Sequence, residues 1–173
     1  SYEEILLSQP EEQNNRKQLL KAKMRNFHQN FIQAAIDYME GGFYQEALEI
    51  LNICDAQWPM LYYYRGATLK KMGDIEAAKE MFCLADKADP YCCFPNRLED
   101  IHVLQMAAKV TPQCPKAYYY LGNIWYDKRQ YQEAQENWEK AAGLDPEYPT
   151  TLRNLAIVYY NKINDPSRAR LVL

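Results

Sequence analysis

Apolar and small residues return at helical spacing along most of this chain, with polar breaks between them. The clearest stretch is residues 115–148, PKAYYYLGNIWYDKRQYQEAQENWEKAAGLDPEY. Tyr118, Leu121 and Trp125 stand at i, i+3 and i+7, one face of a helix. After a polar break, Ala134, Trp138 and Ala141 mark a second such face. Gly122 and Ala134 are expected to face each other, where small side chains let two antiparallel helices pack ridge into groove. Pro115 suits a first helical turn, because its missing N–H would be unpaired there anyway. Asp145-Pro146 closes the second helix, since the residue before proline avoids the α region. The pattern predicts one helix–turn–helix hairpin.

The same register recurs. In residues 59–92, Tyr62, Gly66, Leu69, Ala78, Phe82, Ala85 and Pro90 take the places of Tyr118, Gly122, Trp125, Ala134, Trp138, Ala141 and Pro146. Arg65 departs from the pattern, standing where the other hairpin has Leu121. Residues 28–58 make a shorter unit through Phe31, Ala34, Ala35, Tyr38, Ala47, Leu51 and Cys54, with Gly41-Gly42 at the turn. Residues 149–173 begin a fourth through Leu152, Leu155, Ala156 and Tyr159. There Ala169 comes one residue late, next to an Asp165-Pro166 pair that reads as an N-cap and first helical position.

Two stretches fall outside the register. Ser8 with Glu11 reads as a capping box, and Leu20, Met24, Phe27 and Phe31 form an apolar stripe. A long helix from about residue 10 to 40 is expected, carrying the basic cluster Arg16, Lys17, Lys21, Lys23 and Arg25 on a solvated face. Residues 93–114 interrupt the repeats. Asn96 with Glu99 resembles a capping box, and Leu98, Ile101, Leu104 and Ala108 make a stripe, so one extra helix is expected over about 96–110. Strand signals are absent, and the expectation is an all-α chain.

The aromatic, the Leu121-Gly122 pair, Trp125, Ala134, Trp138 and Pro146 over 34 residues resemble the tetratricopeptide repeat (TPR). The resemblance implies a right-handed α-solenoid of helix pairs with one inserted helix, forming a single domain over residues 1–173. An apolar final pair, where solenoid ends need a polar cap, and the absence of an initiator Met predict a piece of a longer protein. A further resemblance lies in FPNRLEDIHVLQMA, AYYYLGNIWYDKRQYQEAQENWE and RNLAIVYYNKIND. These are similar to the TPR region of certain bacterial proteins that carry it after a larger β-rich domain of unknown, carbohydrate-related function.

Composition narrows the chemistry. The 173 residues carry a net charge of −3 and no long basic stripe, which argues against nucleic acid. No window is apolar enough to span a bilayer, and no secretory signal is visible. A cytoplasmic location is expected. Cys54, Cys83, Cys92, Cys93 and Cys114 are odd in number and lack a framework spacing, which favours reduced thiols. Cys54 occupies a position where alanine usually packs. Cys92-Cys93 with His102 and Cys114 lacks the C-x₂₋₄-C spacing of a zinc site. His28 and His102 have no nucleophile motif beside them, and no G-x-S-x-G, Walker loop or H-E-x-x-H occurs. The expectation is a non-catalytic chain without a cofactor or metal.

The TPR resemblance also implies a groove lined by the first helix of each pair. Its second, fifth, ninth, twelfth and thirteenth positions become Met60, Tyr63, Ala67, Lys70 and Lys71 in one unit. They become Lys116, Tyr119, Asn123, Tyr126 and Asp127 in the next, and Thr150, Arg153, Ile157, Tyr160 and Asn161 in the last. The groove residues singled out are Tyr63, Lys70, Lys116, Tyr119, Asn123, Tyr126, Arg153, Ile157 and Tyr160. Their tyrosines either present a rigid binding surface or fill the inner curve of the superhelix. Tyr63 and Ala67 stand where a carboxylate-clamping TPR would have Lys and Asn, which argues against chaperone-tail recognition. The expected function is an interaction scaffold that binds a protein or peptide segment, or a neighbouring domain of the parent chain. The alternative is an accessory module of a carbohydrate-active enzyme, with Tyr63, Tyr119 and Tyr126 stacking on sugar. Self-association near Leu171 and Leu173 is a third reading.

Overall fold

The computed structural model describes residues 10–25 and 27–172, with side chains from residue 14. Ser8, the Glu11 side chain and Leu173 lie outside the described residues, and with them the first expected capping box. Every regular element among the described residues is helical. The chain divides into two compact units, Ser1–Ala56 and Gln57–Leu173.

The first unit holds α1 (Pro10–Lys23), α2 (His28–Glu40) and α3 (Tyr44–Ile53). The single helix expected over about 10–40 is therefore two. Arg25 takes a left-handed φ of 54°, which a helix cannot continue through. The Met24 carbonyl then accepts both the Phe27 N–H at 3.1 Å and the Asn30 side-chain amide at 2.9 Å, which ties the break to the start of α2. Phe27 is exposed, so the predicted stripe stops at the break and restarts at buried Phe31. Phe31, Ile32, Ala35, Ala47, Leu51 and Cys54 are buried, Cys54 as an apolar filler. Lys21 meets Asp55 at 2.6 Å, but Asp55 is largely exposed and the pair contributes little.

The second unit holds α4 (Pro59–Lys71), α5 (Ile75–Lys87), α6 (Leu98–Val110), α7 (Pro115–Asp127), α8 (Tyr131–Leu144), α9 (Pro149–Val158) and α10 (Pro166–Leu171). A π turn, Tyr159–Ile163, follows α9. Pro59, Pro115, Pro149 and Pro166 open their helices. The pairs α4/α5, α7/α8 and α9/α10 follow the predicted units. The inserted helix α6 packs against α4 and α7, the first helices of the pairs on either side.

All four hairpins turn by one device. A single left-handed residue follows the first helix: Gly42 (φ 81°), Gly73 (92°), Arg129 (61°) and Asn164 (57°). The next N–H reaches back to a carbonyl of that helix. Phe43 bonds Tyr38 at 2.9 Å, Asp74 bonds Leu69 at 3.0 Å and Gln130 bonds Trp125 at 2.8 Å. Each spans five residues and uses an otherwise orphaned carbonyl. In the last hairpin the span is six, from Asp165 to Tyr159 at 2.8 Å. The late Ala169 is thus explained: the extra residue is absorbed as a π turn before the Asp165 N-cap, which accepts from Arg168 N at 3.0 Å.

Glycine at the crossing admits an aromatic ring. A Cβ on Gly66 would lie 2.5 Å from Phe82 Cε1 and 3.1 Å from the Ala78 carbonyl oxygen. On Gly122 it would run into the Trp138 indole, with Cε2 at 2.8 Å. The ring that covers Gly122 belongs to Trp138, four residues beyond Ala134 along α8. The Trp138 ring cannot retreat freely, because its N–H donates to the Tyr119 carbonyl (3.2 Å) and to Asn123 Oδ1 (3.1 Å).

The insertion is fastened by a residue that the stripe did not reveal. Asp100, 3% exposed, accepts from Tyr64 Oη at 2.7 Å and from the backbone N–H groups of Asn96 and Arg97, each at 3.0 Å. The capping carboxylate is therefore Asp100 and not Glu99, one residue later than expected. Leu98 is 66% exposed and leaves the stripe to Ile101, Val103, Leu104, Ala107 and Ala108.

Gly122→Ala should cost about 2 kcal/mol, because forcing a methyl against a pinned ring outweighs the gain in helix propensity. Urea unfolding checks it, and an unchanged midpoint contradicts the close contact. Asp100→Ala should cost roughly 2–4 kcal/mol by stranding a buried phenol and two amides. Combined with Tyr64→Phe, it should lose less than the sum of the single changes, as a double-mutant cycle would show.

Candidate functional site

The nine groove residues separate by what surrounds them. Tyr63 is 1% exposed and packs against Phe82 and Tyr120, with ring centroids 6.3 and 6.0 Å away. Tyr119 is 8% exposed and meets Tyr120 and Tyr148, both at 5.2 Å. Both are interior residues, leaving little ring surface for a partner or a sugar. Burial pushes the phenol of Tyr63 well above its ordinary value, and Asp86 adds to the shift. Tyr148, on the other side of Tyr119, is pushed up to about 12, chiefly by burial.

Three further positions are half-buried and engaged within the chain. The Lys116 N–H donates to Asp86 Oδ1 at 2.8 Å, and its ammonium donates to the Ala88 carbonyl at 3.1 Å. Asn123 Oδ1 receives the Trp138 indole N–H and also the Asn154 amide at 3.1 Å, joining α7, α8 and α9. Tyr126 packs against Tyr131 (5.3 Å) and Trp138 (5.5 Å). Lys70 is half-buried in the last turn of α4.

The last pair is different. Arg153 is exposed, Ile157 is 39% exposed and Tyr160 is 64% exposed. They line one open hollow of about 370 Å³ together with Ala156, Asn161, Pro166, Ala169 and Arg170. One wall comes from α9 and the π turn, the other from α10. The α10 wall was not legible as a site residue set, because the one-residue slip hid which way that helix faces. The signal was present in Ala169, buried as Ala134 is buried, but displaced by one.

Side-chain contacts behind the hollow hold its walls. Tyr159 is buried and donates to Glu139 Oε1 at 2.6 Å. Burial, with that hydrogen bond second, raises the Tyr159 phenol to about 12. Arg168 approaches Glu139 (3.8 Å) and Asp165 (3.6 Å) and lies over the Tyr159 ring. Lys162 sits 4.7 Å above the Tyr131 ring. No residue lining the hollow is acidic, while Arg153 and Arg170 both are basic. Apolar carbon fills the space between them, from Ala156, Ile157, Pro166 and Ala169.

The residues considered for chemistry are dispersed. His102 is exposed. His28 is half-buried beside Phe27, and burial lowers its pKa. Cys92 is exposed while Cys93 is buried, and Cys114 lies against Cys83. Among the described residues no three His, Cys, Asp or Glu side chains converge on a metal-sized site. Among them, too, no helix is long and apolar enough to cross a membrane.

The TPR repeat family matches residues 122–162, from Gly122 through α8 and α9 into the π turn. Among solved structures, one of MamA is 19% identical and aligns over 90% of this chain and 80% of its own, with a TM-score of 0.45. MamA from Desulfovibrio magneticus RS-1 is 22% identical over 84% and 90%, with a TM-score of 0.40. YrrB, described as a TPR protein with an unusual peptide-binding site, is 17% identical over 90% and 88%, with a TM-score of 0.38. Residues 122–162 of the chain thus carry the tetratricopeptide repeat.

Proposed function

We propose that this chain is a non-catalytic protein-interaction scaffold, and that the hollow between α9 and α10 is where it holds a peptide segment. The observation that carries this reading is the convergence of Arg153, Ile157 and Tyr160 on that one hollow, while the other groove positions are buried, half-buried or engaged within the chain. The occupant's chemistry follows from the walls. An aliphatic or aromatic side chain would cover Ala156, Ile157 and Ala169, and carboxylates on either side would meet Arg153 and Arg170. Tyr160 adds a rigid apolar face with few rotamers to lose on binding. The carbohydrate reading loses support at the residue level, since Tyr63 and Tyr119 are interior and half-buried Tyr126 packs against two rings of its own chain.

A synthetic peptide array of short apolar segments with and without flanking Asp or Glu tests the reading. Acidic-flanked apolar peptides should bind. Arg153→Ala and Ile157→Asp should each weaken binding about tenfold, the worth of a well-placed contact, while the melting temperature stays put because both side chains are exposed. Tyr119→Ala should act in the opposite sense, unfolding the chain by roughly 3 kcal/mol of lost core packing. Binding that ignores Arg153 and Ile157 would remove the hollow as the contact surface.

A further inference from the structure

Two thiols away from the hollow face each other across the insertion. Cys83 lies in α5, and Cys114 is the N-cap residue of α7; their sulfurs are 4.0 Å apart. The segment between them contains all of α6. We infer that Cys83 and Cys114 form a redox-sensitive pair that closes to a disulfide when a small disulfide such as oxidised glutathione is the oxidant, tying α5 to α7 around the inserted helix. Sulfurs in a disulfide stand about 2 Å apart. Closure therefore asks for an approach of about 2 Å, between a thiol in the body of α5 and one at the N-cap of α7.

Exposure orders the steps. Cys83 is half-buried and Cys114 buried, so the oxidant meets Cys83 first. The Cys83 thiolate attacks one sulfur of oxidised glutathione; a mixed disulfide forms and one glutathione leaves as its thiolate. Cys114 then releases its proton, its thiolate attacks Cys83 Sγ, and the second glutathione thiolate departs. Two electrons have passed from the two cysteine sulfurs to the glutathione disulfide, and the two cysteine protons balance the two thiolates released. Burial, and after it the negative charge of Asp86, hold the Cys114 thiol up at about 11. That lowers the thiolate fraction available for the second step, and the adduct on Cys83 precedes the bridge. Cys93 does not compete well, because burial holds its thiol up at about 12.

The test treats the folded, reduced chain with oxidised glutathione, quenches by alkylation at intervals, and maps the peptides by mass. A Cys83–glutathione adduct should appear and then give way to a Cys83–Cys114 linked pair lighter by two hydrogens. Cys114→Ser should trap the adduct, Cys83→Ser should abolish both species, and Cys92→Ser should leave the bridge intact. Circular dichroism of each variant keeps a folding defect from passing as lost reactivity. The pairing is overturned if the unsubstituted chain holds its Cys83 adduct as long as Cys114→Ser does. It is equally overturned if Cys83 never reacts, or if the bridge that forms joins other cysteines.

Discussion

A ring laid on a glycine sets the distance between paired helices here. Phe82 covers Gly66 and Trp138 covers Gly122, each so closely that no Cβ would fit without displacement. Dense packing of this kind makes the crossing geometry discrete rather than adjustable. For Trp138 the contact is also directional, since the indole N–H is committed to the Tyr119 carbonyl and to Asn123. Through Asn154 the same asparagine reaches the next helix pair. One close contact inside a hairpin thus extends into the contact between hairpins, and that is why Asn123 serves the architecture.

The last hairpin shows what happens when the spacing is broken by one residue. Helical periodicity forbids simply carrying the extra residue into α10, because every side chain there would rotate by about 100° away from its partner. The chain widens locally into a π turn and restores the register at Asp165. Tyr159, inside the widened turn, is held by Glu139, and the wall formed by α10 stays in place opposite α9. The hollow owes its second wall to this accommodation.

The insertion obeys a different rule. A carboxylate inside protein is costly unless its oxygens are occupied by donors. Asp100 meets that requirement with a phenol from α4 and two amides at its own helix start, so helix capping and tertiary attachment fall on one side chain. The apolar stripe of α6 then has a fixed rotation against α4 and α7. Capping-box spacing alone pointed to Glu99, because Asn96 is a preferred N-cap residue and Arg97, which takes the position, is not.

The hairpins themselves were legible in the sequence. Aromatic, glycine and alanine positions, the opening prolines and the Gly41-Gly42 turn all act on neighbours within a few residues, and such interactions leave a local period. The exposure of the tyrosines was not legible in that way. Tyr63, Tyr119 and Arg153 share one repeat position, yet the first two are interior and the third is open, because Phe82, Tyr120 and Tyr148 are brought to them by chain folding. The break at Arg25 and the facing of α10 belong to the same class, since each depends on backbone conformation or spacing that an apolar pattern does not encode. Periodicity reports what a helix offers to its surroundings; only the tertiary structure decided which of those offers were taken up inside the molecule.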